Sequence, residues 1–319
     1  MNAKALKIAF FGTPEFAAHQ LNFLVTEGFT ITVVITAPDR PAGRGKNLQA
    51  SAVKKVALEH KLNIEQPENL KAEAFIKRYR ELEIDCAVVV AFRMLPKVVW
   101  EAARLGTFNL HASLLPNYRG AAPINWAVMN GDTSTGVSTF FIEKEIDTGM
   151  VILQEKVSIG ENETVGELYN RLMHLGATVT TSTVNAIIEN KITPVSQEEL
   201  TEEELKPAPK IFKPMCEINW SNSVEFNHNF CRGLSPYPTA WTILSNPSKN
   251  TSKSFKIFET RKTTIKVTDK EFLKADNEGI LIPCNDYYLR VIELQPEGKR
   301  RMNFKEVLAG YQIEEWKVD

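Results

Sequence analysis

Residues 7–36, KIAFFGTPEFAAHQLNFLVTEGFTITVVIT, decide the fold. KIAFFG (7–12) is a short apolar run ending at Gly12, and reads as a buried strand with its turn. Thr13 is expected to cap a helix that carries Pro14 at its first position and runs to about Gly28. FTITVVIT (29–36) is rich in β-branched residues and reads as a second strand. Strand, helix and strand make a βαβ unit, which predicts an α/β domain around a parallel sheet. A dinucleotide fingerprint needs G-x-G-x-x-G at this first turn. Only Gly12 stands there, so NAD and FAD are not expected.

Outward from that unit, APDRPAGRGKNL (37–48) is a Pro- and Gly-punctuated loop bearing Arg40, Arg44 and Lys46. It is either a solvated excursion from the sheet edge or a basic finger aimed at phosphates. It lacks the frame of a P-loop. Segments 50–60 and 69–82 read as helices, with a short strand near 63–66. DCAVVVAF (85–92) is the most hydrophobic run and the expected central strand. Ligands of open α/β sheets sit beyond the carboxyl ends of the strands. Phe92, Arg93, Met94 and Leu95 are therefore expected to line a pocket, before Pro96 opens another helix. GTFNLHA (106–112) is the next strand. TGVSTFFIEK (135–144) and MVILQEKV (150–157) read as a hairpin joined by EIDTG. In 164–188, Leu168, Leu172 and Leu175 stack at helical spacing.

Residues 190–210 are polar, acid-rich and interrupted by Pro, which suits a linker. Beyond them a helical stretch, 223–234, precedes several short β-rich segments with turn signals, the pattern of a small barrel. The expected organisation is a domain over 1–190, a linker over 191–209 and a barrel domain over 210–319. A chain of 319 residues is the right length for two domains.

Hydrophobic residues at 43% and charged residues at 24% describe an ordinary globular protein. No stretch reaches the ~20 apolar residues of a membrane span, and the N-terminal run is too short for a signal peptide. Cys86, Cys216, Cys231 and Cys284 form no CxxC pair, which argues for a reducing, cytoplasmic compartment and against a cysteine zinc site. Net charge is -1, but from Lys206 onward 18 Lys and Arg face 14 Asp and Glu. That basic surplus hints at an anionic macromolecular partner.

The chemistry-bearing stretch is GTFNLHASLLPNYRGAAPINW (106–126). Alternate residues of a strand share a face, so Asn109 and His111 can aim into one pocket, and Asp147 of EIDTG can meet the imidazole. Such a trio suits attack on a carbonyl-type carbon: the amide and imidazole support an oxyanion and the acid manages protons. Each residue also has an ordinary reading. Asp147 suits a turn, His111 suits a structural role, and Asn109 can satisfy backbone groups. His19, His60, His174 and His228 lie in no motif and read as structural.

FGTPEF, APDRPAGRGK, NLHASLLPNYRGAAPI, IDTG, SPYPTAW and LQPEGKRRM, in this order, resemble the methionyl-tRNA formyltransferase family over nearly the whole chain. The block NLHASLLPNYRGAAP with IDTG is shared by the wider 10-formyltetrahydrofolate-dependent superfamily. The resemblance implies a Rossmann-like formyltransferase domain followed by a smaller OB-like β-barrel. It implies Asn109, His111 and Asp147 as catalytic residues. It implies folate contacts at Ser113, Leu114, Leu115 and Pro116, and a tRNA-contacting loop with Arg40, Arg44 and Lys46. The cosubstrate implied is 10-formyltetrahydrofolate, with no metal and no membrane, and the macromolecular partner is initiator methionyl-tRNA, bound by a monomer. The GKRR cluster, Gly298 to Arg301, is a candidate phosphate contact or an ordinary solvated hairpin. Other acceptors within the superfamily are glycinamide ribonucleotide, an amino sugar nucleotide and water. Two departures stand out: AFRMLP (91–96) is shorter than in many relatives, and KPAPKIF lacks an expected Tyr.

Overall fold

A computed structural model describes residues 6–42, 47–200 and 204–318. The chain opens as expected, with β1 (Ile8–Gly12), α1 (Glu15–Thr26) and β2 (Ile31–Ile35). The helix starts one residue later than the sequence suggested. Its first carbonyl acceptor is Pro14, bonded by the Ala18 N–H at 3.0 Å, so Pro14 and not Thr13 is the cap. Gly12 permits that tight turn, since a Cβ there would lie 2.6 Å from the Ala17 Cβ and 3.2 Å from the Val90 carbonyl.

There follow β3 (Arg40–Ala42), β4 (Asn47–Gln49), α2 (Ala52–Glu59), β5 (Ile64–Glu65), α3 (Glu73–Glu81), β6 (Cys86–Val90), α4 (Lys97–Trp100) and β7 (Thr107–His111). Then come α5 (Pro123–Met129), β8 (Ser134–Phe141), β9 (Val151–Ser158) and α6 (Val165–Ile188). Seven strands form one sheet in the order β5-β2-β1-β6-β7-β8-β9. The pairs from β5 to β7 are parallel and β8 is antiparallel to β7. The order reverses between β1 and β6, which places a crevice at the carboxyl ends of the central strands. One face of the sheet is sealed by Phe11, Val33, Ile35, Val89, Phe75 and Tyr79. Each such buried side chain stabilises the fold by roughly 1.5–3 kcal/mol.

By its internal contacts the chain divides into two units. The first holds Met1–Gly120, Gly136–Lys156 and Arg171–Lys206; the second holds Ala121–Thr135, Val157–Asn170 and Pro207–Asp319. The acid-rich segment read as a linker belongs in large part to the first unit. Val195 exchanges two backbone bonds with Val151, both 2.9 Å.

The second unit contains α7 (Val224–Leu234), β10 (Ala240–Asn246), β11 (Thr251–Lys266), β12 (Lys274–Ala275) and β13 (Ile280–Pro283). It ends with β14 (Tyr287–Pro296), β15 (Met302–Asn303), α8 (Phe304–Leu308) and β16 (Lys317–Val318). The strand order is β12-β13-β14-β11-β10-β16, antiparallel at each pairing. The long β11 bends at register shifts after Ile257 and Lys262, which curls the sheet. The curl returns on itself where Phe272 bridges Lys317 and the Leu273 N–H donates to the Trp316 carbonyl at 2.9 Å. Phe255, Ile257, Leu289, Val291 and Trp316 fill its interior. Helix α7 packs on α5, and Gly233 allows their approach, because a Cβ there would stand 2.9 Å from the Met129 nitrogen.

Candidate active site

Strand β7 delivers Asn109 and His111 to one face, paired across from Phe140 and Ser138 of β8. His111 is 6% exposed, and its ring meets the Phe140 ring edge-on at 6.5 Å. Its Nε2 lies 2.8 Å from the Tyr118 carbonyl. A carbonyl only accepts, so Nε2 carries the hydrogen and Nδ1 is the nitrogen left to gain or lose a proton. Nδ1 faces Asp147 Oδ2 at 3.8 Å. That distance is too long for a hydrogen bond and short enough for an ion pair once the ring is charged.

Asp147 sits in the loop after β8 with a φ of +56°, a left-handed conformation that Asp tolerates better than most residues. The Gly120 N–H donates to its Oδ2 at 3.0 Å, which aims the carboxylate toward His111. Two residues on, Gly149 has no alternative, since a Cβ there would fall 1.7 Å from the Phe141 carbonyl. Asn109 is half-buried, and among the described residues nothing hydrogen-bonds its side-chain amide. The amide is therefore available to a bound molecule.

The structure brings Asn109, His111 and Asp147 together, as the sequence anticipated. SLLP forms a packed turn. The Ser113 hydroxyl is fully buried and donates to the Asn117 carbonyl at 2.7 Å. Leu115 packs on Phe140 and Val151. Pro116 is also buried, and only Leu114 is half-open. The turn is held by Ser138, whose Oγ accepts from the Leu115 N–H at 3.0 Å and donates to the Ser113 carbonyl at 2.6 Å. Gln154 Nε2 donates to both the Leu115 carbonyl and Ser138 Oγ at 2.8 Å. Neither Ser138 nor Gln154 belongs to a motif; each looks like an ordinary strand residue in sequence.

Arg40 lies exposed on β3, paired with β4 in a two-stranded hairpin. Arg44 and Lys46 lie outside the described residues. The hairpin's root is fixed by Asp39, which pairs with Lys54 at 2.6 Å and accepts from Gln66 at 2.8 Å. These partners hold the Asp39 carboxyl below its ordinary range, the Lys54 hydrogen bond contributing most. Arg93, expected in the pocket wall, bends away to donate to the Pro67 and Glu68 carbonyls.

In the second unit the GKRR cluster is largely neutralised. Arg300 pairs with Glu306, and Arg301 pairs with Glu293 while lying 4.3 Å over the Phe258 ring. A cavity of about 480 Å³ is instead lined by Lys210, Lys213 and Lys256 with Tyr237 and Trp241. Among the described residues none of these three lysines is ion-paired, and Tyr237 is 82% exposed.

Residues 6–184 match the family described as Formyl transferase, and residues 210–312 match Formyl transferase, C-terminal domain. A methionyl-tRNA formyltransferase of Bacteroides fragilis is 48% identical over 99% of this chain and 98% of its own length. One from Flavobacterium johnsoniae is 45% identical over 96% of both. Among solved structures, the sugar 3N-formyl transferase WlaRD aligns with a TM-score of 0.65 at 20% identity, over 92% of this chain and 99% of that one. HypX from Aquifex aeolicus, in complex with tetrahydrofolic acid, aligns at 0.60 and 14% identity, over 95% of this chain and 47% of that one. At these identities the structural likeness speaks for the fold, while the sequence relatives speak for the family. The chain belongs to the formyl transferase family, among the methionyl-tRNA formyltransferases.

Proposed function

We propose that the protein transfers the formyl group of 10-formyltetrahydrofolate to the α-amine of methionine carried by initiator tRNA, giving N-formylmethionyl-tRNA. Full-length likeness to methionyl-tRNA formyltransferases supports the reaction. The observation that carries the assignment of residues is the arrangement of His111, whose one unbonded ring nitrogen faces Asp147 beside a free Asn109 amide.

The amine attacks the formyl carbon and the carbonyl electrons move to oxygen. Asn109 donates a hydrogen bond to that oxyanion, the type of contact whose loss costs about 3–4 kcal/mol of barrier. His111 Nδ1 takes the proton released by the amine, and Asp147 stabilises the imidazolium so formed. As the tetrahedral centre collapses, the C–N10 bond breaks and Nδ1–H returns the proton to N10 of tetrahydrofolate. No proton is left over, and Nε2 stays bonded to Tyr118 throughout. The carbonyl at Tyr118 thus fixes which nitrogen works.

The acceptor's nucleic acid is assigned to the basic stretch of sequence bearing Arg40, Arg44 and Lys46, and to the lysines of the second unit's cavity. Lysines beside the exposed Tyr237 ring suit a phosphate backbone with an unpaired base. Among the described residues no helix is long and apolar enough to cross a membrane.

Purified protein, 10-formyltetrahydrofolate labelled in the formyl carbon, and charged initiator tRNA provide the test. Acid-precipitable label on methionyl-tRNA is the expected result. Label on an amino sugar nucleotide or on glycinamide ribonucleotide instead, with none on tRNA, would refute the acceptor.

A further inference from the structure

Gln197 lies in the acid-rich segment after α6, in a single 3-10 turn over Gln197–Glu199. It is 3% exposed, although its neighbours Glu198 and Glu199 are exposed. Its amide is fully used. Nε2 donates to the Asp147 carbonyl at 2.9 Å and to the Gly149 carbonyl at 2.8 Å. Oε1 accepts from Arg119 Nε at 2.9 Å and from Arg119 Nη2 at 2.7 Å. The amide has only one possible orientation here. Backbone carbonyls cannot donate and a guanidinium cannot accept, so nitrogen must face the loop and oxygen the arginine.

The two partners are not equivalent surfaces. The 147–149 loop carries the Asp147 carboxylate and holds its backbone at a positive φ. The 118–120 segment supplies the Tyr118 carbonyl to His111 Nε2 and the Gly120 N–H to Asp147 Oδ2. Lys206, further along the sequence, meets that segment as well. Lys206 accepts from the Tyr118 N–H at 2.6 Å and donates its own N–H to Asn117 Oδ1 at 3.0 Å. One buried amide therefore joins the loop that aims the carboxylate to the loop that aims the imidazole.

We infer that Gln197 is a positioning residue for formyl transfer, a clamp that fixes the separation of Asp147 from His111 Nδ1. The inference rests on the reading that Asp147 and His111 act on the reaction. It assigns catalytic consequence to a side chain fifty residues from Asp147 in a segment with no motif. Only glutamine meets the requirement at this spot. Glutamate would place an acceptor against two carbonyls, and methionine would leave both carbonyls and Arg119 unpartnered.

The experiment compares Gln197→Met, Gln197→Glu and Arg119→Met with the parent enzyme, each checked by thermal melting. A misplaced catalytic pair costs on the order of 10²-fold in turnover. All three variants are expected to lose kcat to about that degree, with KM for the folate nearly unchanged, and to move the pH profile of kcat. Gln197→Met with Arg119→Met is expected to lose no more than either alone, because both break one clamp. Asp147→Asn is run beside them. A folded Gln197→Glu or Gln197→Met enzyme with parental kcat and pH profile, while Asp147→Asn is impaired, overturns the inference and spares the reading. Multiplying losses in the double variant also overturn it. A fully active Asp147→Asn enzyme removes the reading and the inference together. Should Gln197→Met fail to fold, the half-buried side of the clamp, Arg119→Met, decides by the same kcat and pH criteria.

Discussion

His111 Nδ1 stands 3.8 Å from Asp147 Oδ2, while the opposite nitrogen of the same ring is bonded to the Tyr118 carbonyl at 2.8 Å. The imidazole therefore has one nitrogen for structure and one for chemistry. The carboxylate interacts with it mainly when the ring is charged, since no direct hydrogen bond spans that gap. Asp147→Asn keeps an oxygen for the Gly120 N–H and removes the charge. Turnover is expected to fall by roughly 10²–10⁴, the range for a lost acid–base partner, with the melting temperature little changed. Steady-state formylation at saturating substrates checks it.

Asn109 offers an unengaged amide on the same face as His111. Asn109→Ala removes a donor without orphaning a protein group, so stability is expected to hold. The barrier is expected to rise by about 3–4 kcal/mol, or roughly 10²–10³ in kcat. Single-turnover rates with preformed ternary complex isolate that step. A loss seen only in KM would assign Asn109 to ground-state binding instead.

Much of this site is visible in the chain, and what is hidden has a common cause. Asn109 and His111 are legible because strand periodicity is local. Asp147 is legible because its loop lies between two recognisable strands. Gln197 and Ser138 act through contacts fifty and twenty-five residues away, and no local pattern encodes a distant carbonyl. The Ser113 hydroxyl is hidden in a related way: its partner is the Asn117 carbonyl, four residues along the same turn. For GKRR a phosphate contact and a solvated hairpin stayed equally open, because sequence does not show that Glu293 and Glu306 fold back upon it.

Ser138 gives that turn its shape. Its hydroxyl makes three hydrogen bonds, and Ser138→Ala strands the buried Leu115 N–H and the Ser113 carbonyl. A buried unpaired group costs about 1–3 kcal/mol. Urea denaturation is expected to show a loss of that order, and KM for 10-formyltetrahydrofolate is expected to rise more than KM for the tRNA. Equal changes in both would mean that the turn does not face the folate.

Lys213 and Lys256 line the second unit's cavity and have no ion-pair partner among the described residues. Each phosphate contact releases about one counterion, so the slope of log affinity against log salt counts them. Lys213→Glu with Lys256→Glu is expected to weaken tRNA binding and to reduce the slope by about two. The same measurement on Arg300→Ala is expected to show no change in slope, since that guanidinium is already paired with Glu306.

His228 lies buried in α7 with Nδ1 2.8 Å from Thr260 Oγ1 and Nε2 3.3 Å from the Glu161 carbonyl. Burial, with lesser repulsion from Arg232, Lys262 and Arg261, pushes its pKa from 6.5 down to about 4. The folded chain thus holds a neutral ring where the unfolded chain would take a proton. Below the ordinary imidazole value the unfolded state binds more protons, so acid favours unfolding. The stability that the neutral ring preserves is present above pH 6.5 and is lost progressively as pH falls toward about 4. The full loss is about 3 kcal/mol. Carboxylates held low, among them Asp85 and Asp276, add their own acid sensitivity at lower pH, so the effect is read as a difference. Urea unfolding of the parent and of His228→Gln is followed across this range. Glutamine does not titrate, and its amide can still donate to the Glu161 carbonyl. The variant's deficit is expected to be constant above neutrality and to shrink on acidification. A deficit that stays constant through pH 4 would mean that His228 is protonated in the folded state.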